Sequence, residues 1–101
     1  MSTKKLSPVE IADALDQLNR GVGAPWQLND DHISKEFKFS DFTAAFSFMT
    51  RCAFAADKAD HHPEWTNVYN KVSVTFTTHD VGGLTEKDFD VAGTFNKFAD
   101  S

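Results

Sequence analysis

The chain has 101 residues, 41% hydrophobic and 25% charged, which is enough for one domain with one core and too short for two. Fifteen acidic against ten basic residues give a formal net charge of −5, and the basic residues are scattered, which argues against direct binding to nucleic acid or to an anionic membrane surface. The single cysteine, Cys52, cannot form an internal disulfide and no secretory signal, transmembrane run or basic transit segment is visible, so a reducing compartment, most simply the cytosol, is expected.

The first helix is written clearly. Ser7 suits the N-cap, Pro8 the first helical position, and Glu10 completes a capping box. Ile11, Leu15 and Leu18 then fall on one face, and Gly21 and Gly23 close the segment. Pro25 to Leu28 reads as a short strand and Asn29 to His32 as a turn. Ile33 to Phe39 alternates as a half-buried strand, with Ile33, Lys35, Phe37 and Phe39 on one side.

Ser40 is placed to cap a second helix running from Asp41 to about Ala59. Phe42, Ala45, Phe46, Met49, Cys52, Ala53 and Ala56 trace its expected core stripe, with Cys52 as a buried packing thiol. Phe48 and Phe54 fall off that stripe. With ten phenylalanines in the chain, this outer patch is expected to pack on another subunit.

Pro63 ends the connection that follows. Trp65 to Tyr69 reads as a third strand, Asn70 and Lys71 as a turn, and Val72 to Thr78 as a fourth strand. Val72, Val74, Phe76 and Thr78 share one face of it. Asp80 to Gly83 is a loop. Thr85 caps a last helix with Asp88 at N3, and Leu84 with Phe89 forms a hydrophobic staple. Val91, Phe95 and Phe98 continue the buried face. The order α-β-β-α-β-β-α predicts an α+β two-layer sandwich, a four-stranded antiparallel sheet with helices on one face, as a single domain over residues 1–101.

The chemistry is concentrated late in the chain. His61 and His62 are adjacent, Pro63 stops the backbone behind them, and His79 ends the next strand but one, so three of the four histidines lie within nineteen residues. Histidine gives or takes a proton near neutral pH. Beside Trp65 and Tyr69, such a cluster points to proton transfer on a planar substrate. A zinc site built from His61, His62, His79 and a carboxylate competes with this reading. Neighbouring residues rarely aim at one ion, however, and no Cys-x-x-Cys or His-x-x-x-His spacing supports it. His32, between acidic turn residues, reads as solvated. Trp65 and Tyr69 serve equally as sheet packing or as a ring against a ligand. Asp88 has an ordinary explanation as a helix-capping residue, and Gly82-Gly83 lacks the length and lysine of a phosphate loop. No nucleophile with a supporting base stands out, so hydration, dehydration or isomerisation fits the set.

Asp57, His61-His62-Pro63, Tyr69, His79 and Asp88, with the gaps between them, closely resemble the motif of the pterin-4a-carbinolamine dehydratase family. The text from about Phe48 to Ala92 is similar to that family's core, and Asp57 stands where many of its members carry glutamate. The resemblance implies dehydration of a 4a-hydroxytetrahydropterin to the quinonoid dihydropterin, in recycling of the pterin used by aromatic amino-acid hydroxylases. No metal or redox cofactor is implied. His61, His62 and His79 would be catalytic, with His61 and His79 as the acid–base pair and His62 holding substrate. Asp57 and Asp88 would support them. Backbone groups of His61 to Pro63 and of Thr78, His79, Asp80 and Val81 would bind the pterin edge, with Trp65 as an aromatic wall. The family also implies an oligomer, a tetramer made as a dimer of dimers. Some of its animal members act as dimerisation cofactors of a homeodomain transcription factor, through the second helix, which would add a nuclear location.

Overall fold

In a computed structural model, residues 4–100 are described. Helix α1 spans Pro8–Asn19, and Ser7 and Glu10 form the expected reciprocal capping box. Strands β1 (Gln27–Asn29) and β2 (His32–Lys38) form a first hairpin, and α2 runs Phe42–Lys58. Strands β3 (Glu64–Val68) and β4 (Lys71–Phe76) form a second hairpin, a 3-10 turn covers His79–Val81, and α3 spans Glu86–Ala99. The sheet is antiparallel throughout in the order β1-β2-β4-β3. This is the α+β architecture and the element order that the residue pattern predicts.

One sheet face is sealed by helices. Ile33 and Phe37 from β2 and Val72, Val74 and Phe76 from β4 are buried beneath Phe48, Cys52 and Ala56 of α2 and Phe95 of α3. Ser73 and Glu36, which pair across β2 and β4, are exposed on the other face. Lys35 belongs to the inner row and is half-buried, its ammonium 4.7 Å from the Phe37 ring centroid and donating to Asn96 Oδ1 of α3 at 3.4 Å. Trp26, expected within the first strand, instead precedes it as a buried anchor. Asn19 holds both its backbone N–H and its carbonyl, and the indole donates to Asn96 Oδ1 at 2.9 Å.

Three expectations about the elements change. The cap of α2 is Asp41, whose carboxylate accepts from Ala44 N at 2.8 Å, and not Ser40. The inner stripe of α2 is Ala45, Phe48, Cys52 and Ala56. Phe48 is fully buried, whereas Phe42 and Phe46, expected in the core, are 46% and 53% exposed. The helix is rotated from the expected phase because Phe48 fits against Phe37, Phe39 and Phe95, with ring centroids 4.8 to 6.0 Å away. Finally, Tyr69 leaves β3 and, with Asn70, makes the turn to β4; it takes a left-handed backbone with φ of 51°. No helix among the described residues is long and apolar enough to cross a membrane.

Candidate active site

The end of α2 aims the two adjacent histidines. Asp60 adopts φ of 52°; its N–H bonds Asp57 O at 3.1 Å, and the next N–H, of His61, reaches back to Ala56 O at 3.0 Å. These paired bonds are the Schellman arrangement, usually built on glycine and here on aspartate. The reversal turns His61 inward, where its ring lies nearly parallel to Phe76, 14° off, with centroids 5.9 Å apart. His62 is left outside.

His61 is almost fully buried, and its Nε2 lies 2.6 Å from Asp88 Oδ1. Asp88 is completely buried at the start of α3. Its second oxygen, Oδ2, accepts from Thr85 N at 2.9 Å and from Thr78 Oγ1 at 2.8 Å. The capping carboxylate expected for α3 is thus also the partner of the buried imidazole. Both roles are compatible because a carboxylate has two oxygens and accepts at each, and because the positive end of the helix dipole favours its charge.

The other two imidazoles carry their own carboxylates at the surface. His62 Nε2 lies 3.2 Å from Asp57 Oδ1, so the shorter acid at this position still reaches a histidine. His79 Nε2 lies 3.8 Å from Glu64 Oε2 and is 77% exposed on its side chain. A loose, solvated ion pair of this kind holds a side chain only weakly. Glu64 was not foreseen as a site residue; its position next to Pro63 is the only sequence signal for it.

Next to His62 a cavity of about 390 Å³ is lined by Ala53, Phe54, Ala56, Asp57, His62, Pro63 and Trp65. Trp65 is half-buried, with one part packed on Phe95 at 6.0 Å between centroids and another facing this cavity. Phe54, expected only as an interface residue, is 74% exposed and also lines it. Part of the expected backbone binding surface is already occupied. Thr78 N donates to Gly83 O at 2.9 Å, Gly83 N to Thr78 O at 3.4 Å, and Val81 N to Thr78 O at 3.2 Å. His61 N is likewise used by Ala56, so these groups satisfy the fold, as buried backbone must, and are not open to a ligand. Asp80 and His79 stay exposed on the 3-10 turn. Tyr69 sits just past the end of β3 remote from Glu64, five residues or roughly 16 Å along the chain, and does not join the cluster. Among the described residues no group of three His, Cys, Asp or Glu side chains is arranged to hold a metal ion.

Three imidazoles thus stand each beside a different carboxylate, graded from buried to solvated, and one of them, His62, lines an apolar hollow. Comparison with known proteins agrees in kind. Residues 4–98 match the family model described as pterin 4 alpha carbinolamine dehydratase. The chain belongs to that family. A provisionally named pterin-4-alpha-carbinolamine dehydratase of Sinorhizobium medicae is 51% identical, over 99% of this chain and 92% of its own length. The crystal structure of a transcriptional coactivator/pterin dehydratase from Brucella melitensis superposes with a TM-score of 0.85 at 43% identity, covering 95% of this chain and 99% of that one. A pterin dehydratase-like protein, described as a RuBisCO assembly factor in the alpha-carboxysome, shares the fold alone. It has a TM-score of 0.64 at 18% identity, over 80% of this chain and 94% of that one.

Proposed function

We propose that this protein dehydrates 4a-hydroxytetrahydropterins to quinonoid dihydropterins by histidine general acid–base catalysis. The observation that carries the reading is the 2.6 Å contact of His61 Nε2 with the buried carboxylate of Asp88. An ionised carboxylate only accepts, so His61 keeps its proton on Nε2 and presents Nδ1 for proton transfer. His61 and His79 act as the acid–base pair, and His62, steadied by Asp57, holds the substrate. One imidazolium protonates the 4a-hydroxyl as the C–O bond breaks. The lone pair of the neighbouring ring nitrogen forms the new C=N bond, and the other imidazole removes that nitrogen's proton. The products are water and the quinonoid pterin, with no net oxidation or reduction. Each well-placed acid or base supplies roughly 10²–10⁴-fold, which suits a substrate that already loses water slowly.

Trp65 and Pro63 form the apolar wall for the ring, and unoccupied backbone groups from His61 to Pro63 and from His79 to Val81 pair with its polar edge. The activity serves pterin recycling in the cytosol. Stopped-flow decay of freshly prepared 4a-hydroxytetrahydropterin, with and without the protein, is the test. An unchanged decay rate refutes the reading, and a His61→Gln, His79→Ala double variant with near-native turnover refutes the assignment of roles.

A second reading concerns assembly. Phe42 and Phe46 lie side by side on the outer face of α2, centroids 5.5 Å apart and half exposed. We propose that this face joins copies of the chain into a tetramer built as a dimer of dimers. The coactivator half of the Brucella relative's name supports the alternative, a protein partner replacing one dimer.

A further inference from the structure

Thr78 has a role that its backbone cannot carry, since both its N–H and its C=O are bonded to Gly83. Its hydroxyl is buried and in contact with two groups. It lies 2.8 Å from Asp88 Oδ2 and 2.9 Å from Thr85 Oγ1. A threonine hydroxyl has one proton to give. Asp88, ionised, can only accept, so that proton goes to Oδ2, and the Thr85 hydroxyl must donate to Thr78. The protons of the whole chain are then assigned: Thr85 O–H to Thr78, Thr78 O–H to Asp88 Oδ2, His61 Nε2–H to Asp88 Oδ1. Among the described residues no buried side-chain nitrogen or oxygen lacks a partner.

We infer that Thr78 is a positioning residue: its side-chain hydroxyl fixes the Asp88 carboxylate and, through it, the tautomer and ring angle of His61. The geometry requires two anchors. Without Thr78, Oδ2 would keep the Thr85 N donor alone, and a carboxylate anchored on that side by one donor can still swing about its Cβ–Cγ bond and carry Oδ1 with it. Thr78 comes from the end of β4, on another element, and a second donor from that direction stops the swing. Oδ1 is thereby aimed at His61. A buried imidazole whose orienting carboxylate can turn loses the definition of which nitrogen carries the proton.

The inference deepens the dehydratase reading and rests on it for its kinetic arm only. Thr78→Val keeps the shape and removes the hydroxyl; Thr78→Ser keeps the hydroxyl. Imidazole nitrogen NMR of the wild-type chain should show His61 protonated at Nε2, whereas Thr78→Val should show a mixture of tautomers. In stopped-flow assays Thr78→Val should lose about 10- to 100-fold in kcat, the size expected for one charge-assisted hydrogen bond, with KM little changed. Thr78→Ser restores both readouts. An unmixed Nε2 tautomer in Thr78→Val, a loss confined to KM, or failure of serine to rescue each overturns the inference. Wild-type protein without dehydratase activity overturns the function but leaves the NMR arm to decide on Thr78. If the valine variant does not fold, the wild-type Thr78 hydroxyl proton carries the test. Slow exchange with solvent supports the assignment, and fast exchange overturns it.

Discussion

Asp88 Oδ1 stands 2.6 Å from His61 Nε2, with the carboxylate fully buried and the imidazole nearly so. The same carboxylate holds the first turn of α3 through Thr85 N. Asp88→Asn tests the half of this relationship that concerns chemistry. The amide keeps the shape but can turn a donor toward Nε2, which favours the other tautomer. Turnover should drop by roughly 10²–10⁴-fold with the circular dichroism spectrum unchanged, and a loss under about threefold in the same assay would show that the tautomer is immaterial.

The structural half is tested by removing the imidazole. His61→Ala strands a buried charge with one oxygen unpaired, and should cost about 2–4 kcal/mol in urea unfolding. His61→Gln can still donate to Oδ1 and should cost markedly less. His79→Ala, at an exposed and loosely paired position, should fall within about 0.5 kcal/mol of wild type. Equal losses for His61→Ala and His79→Ala would contradict the burial gradient.

The rotated phase of α2 separates two kinds of phenylalanine. Phe48→Ala empties the core between Phe37 and Phe95 and should cost about 3–5 kcal/mol. Phe46→Ser should leave the folded chain intact but shift sedimentation toward the 11.3 kDa monomer. A wild-type chain that already sediments as a monomer would remove the assembly proposal.

The local signals of this fold were legible, and the long-range ones were not. The Ser7–Glu10 capping box and the alternation of β2 and β4 depend on neighbours three residues or fewer away, so the residues alone announce them. The phase of α2 does not. Phe42, Phe46 and Met49 are spaced along a helix as well as Ala45, Phe48 and Cys52 are, and only the rings waiting on the sheet choose between them. Among the proposed site residues, the histidines and Asp88 could be singled out from residue types and the family resemblance, but which imidazole Asp88 meets could not, since the capping box alone gives it a place in the fold. Glu64 and Phe54 became site residues only when β3 was laid beside the end of β4 and against α2. The left-handed Asp60 was missed because the position carries no glycine.

Phe54 and Trp65 both line the hollow beside His62. On the proposed function, Trp65→Ala and Phe54→Ala should each raise KM several-fold with smaller effects on kcat, because neither side chain can transfer a proton. Phe54→Ala should leave the sedimentation pattern unchanged. If instead it dissociates the assembly at constant KM, Phe54 belongs to the subunit interface.

Burial of Cys52 pushes its thiol up to about 12 from an ordinary 9.0, and the nearby Arg51 opposes this only weakly. The folded state therefore keeps a proton that the unfolded chain releases earlier. Stability from this residue is complete below about pH 9 and is lost as the pH rises toward 12. Wild type should thus lose stability in that window faster than Cys52→Ala in parallel urea titrations; parallel curves would refute it.

The left-handed residue that closes α2 has a consequence for how this site can change over time. Asp60 reverses the backbone within a single residue, so His61 and His62 differ in environment only through their place in the count. Deleting one residue between Lys58 and His61 would bring His62 to the sealed position and Pro63 to the open one, and inserting one would bring His61 to the open position and leave no imidazole sealed. The chemistry here is written in spacing as much as in composition. A substitution at the turn changes one side chain, whereas a change in its length displaces both imidazoles at once.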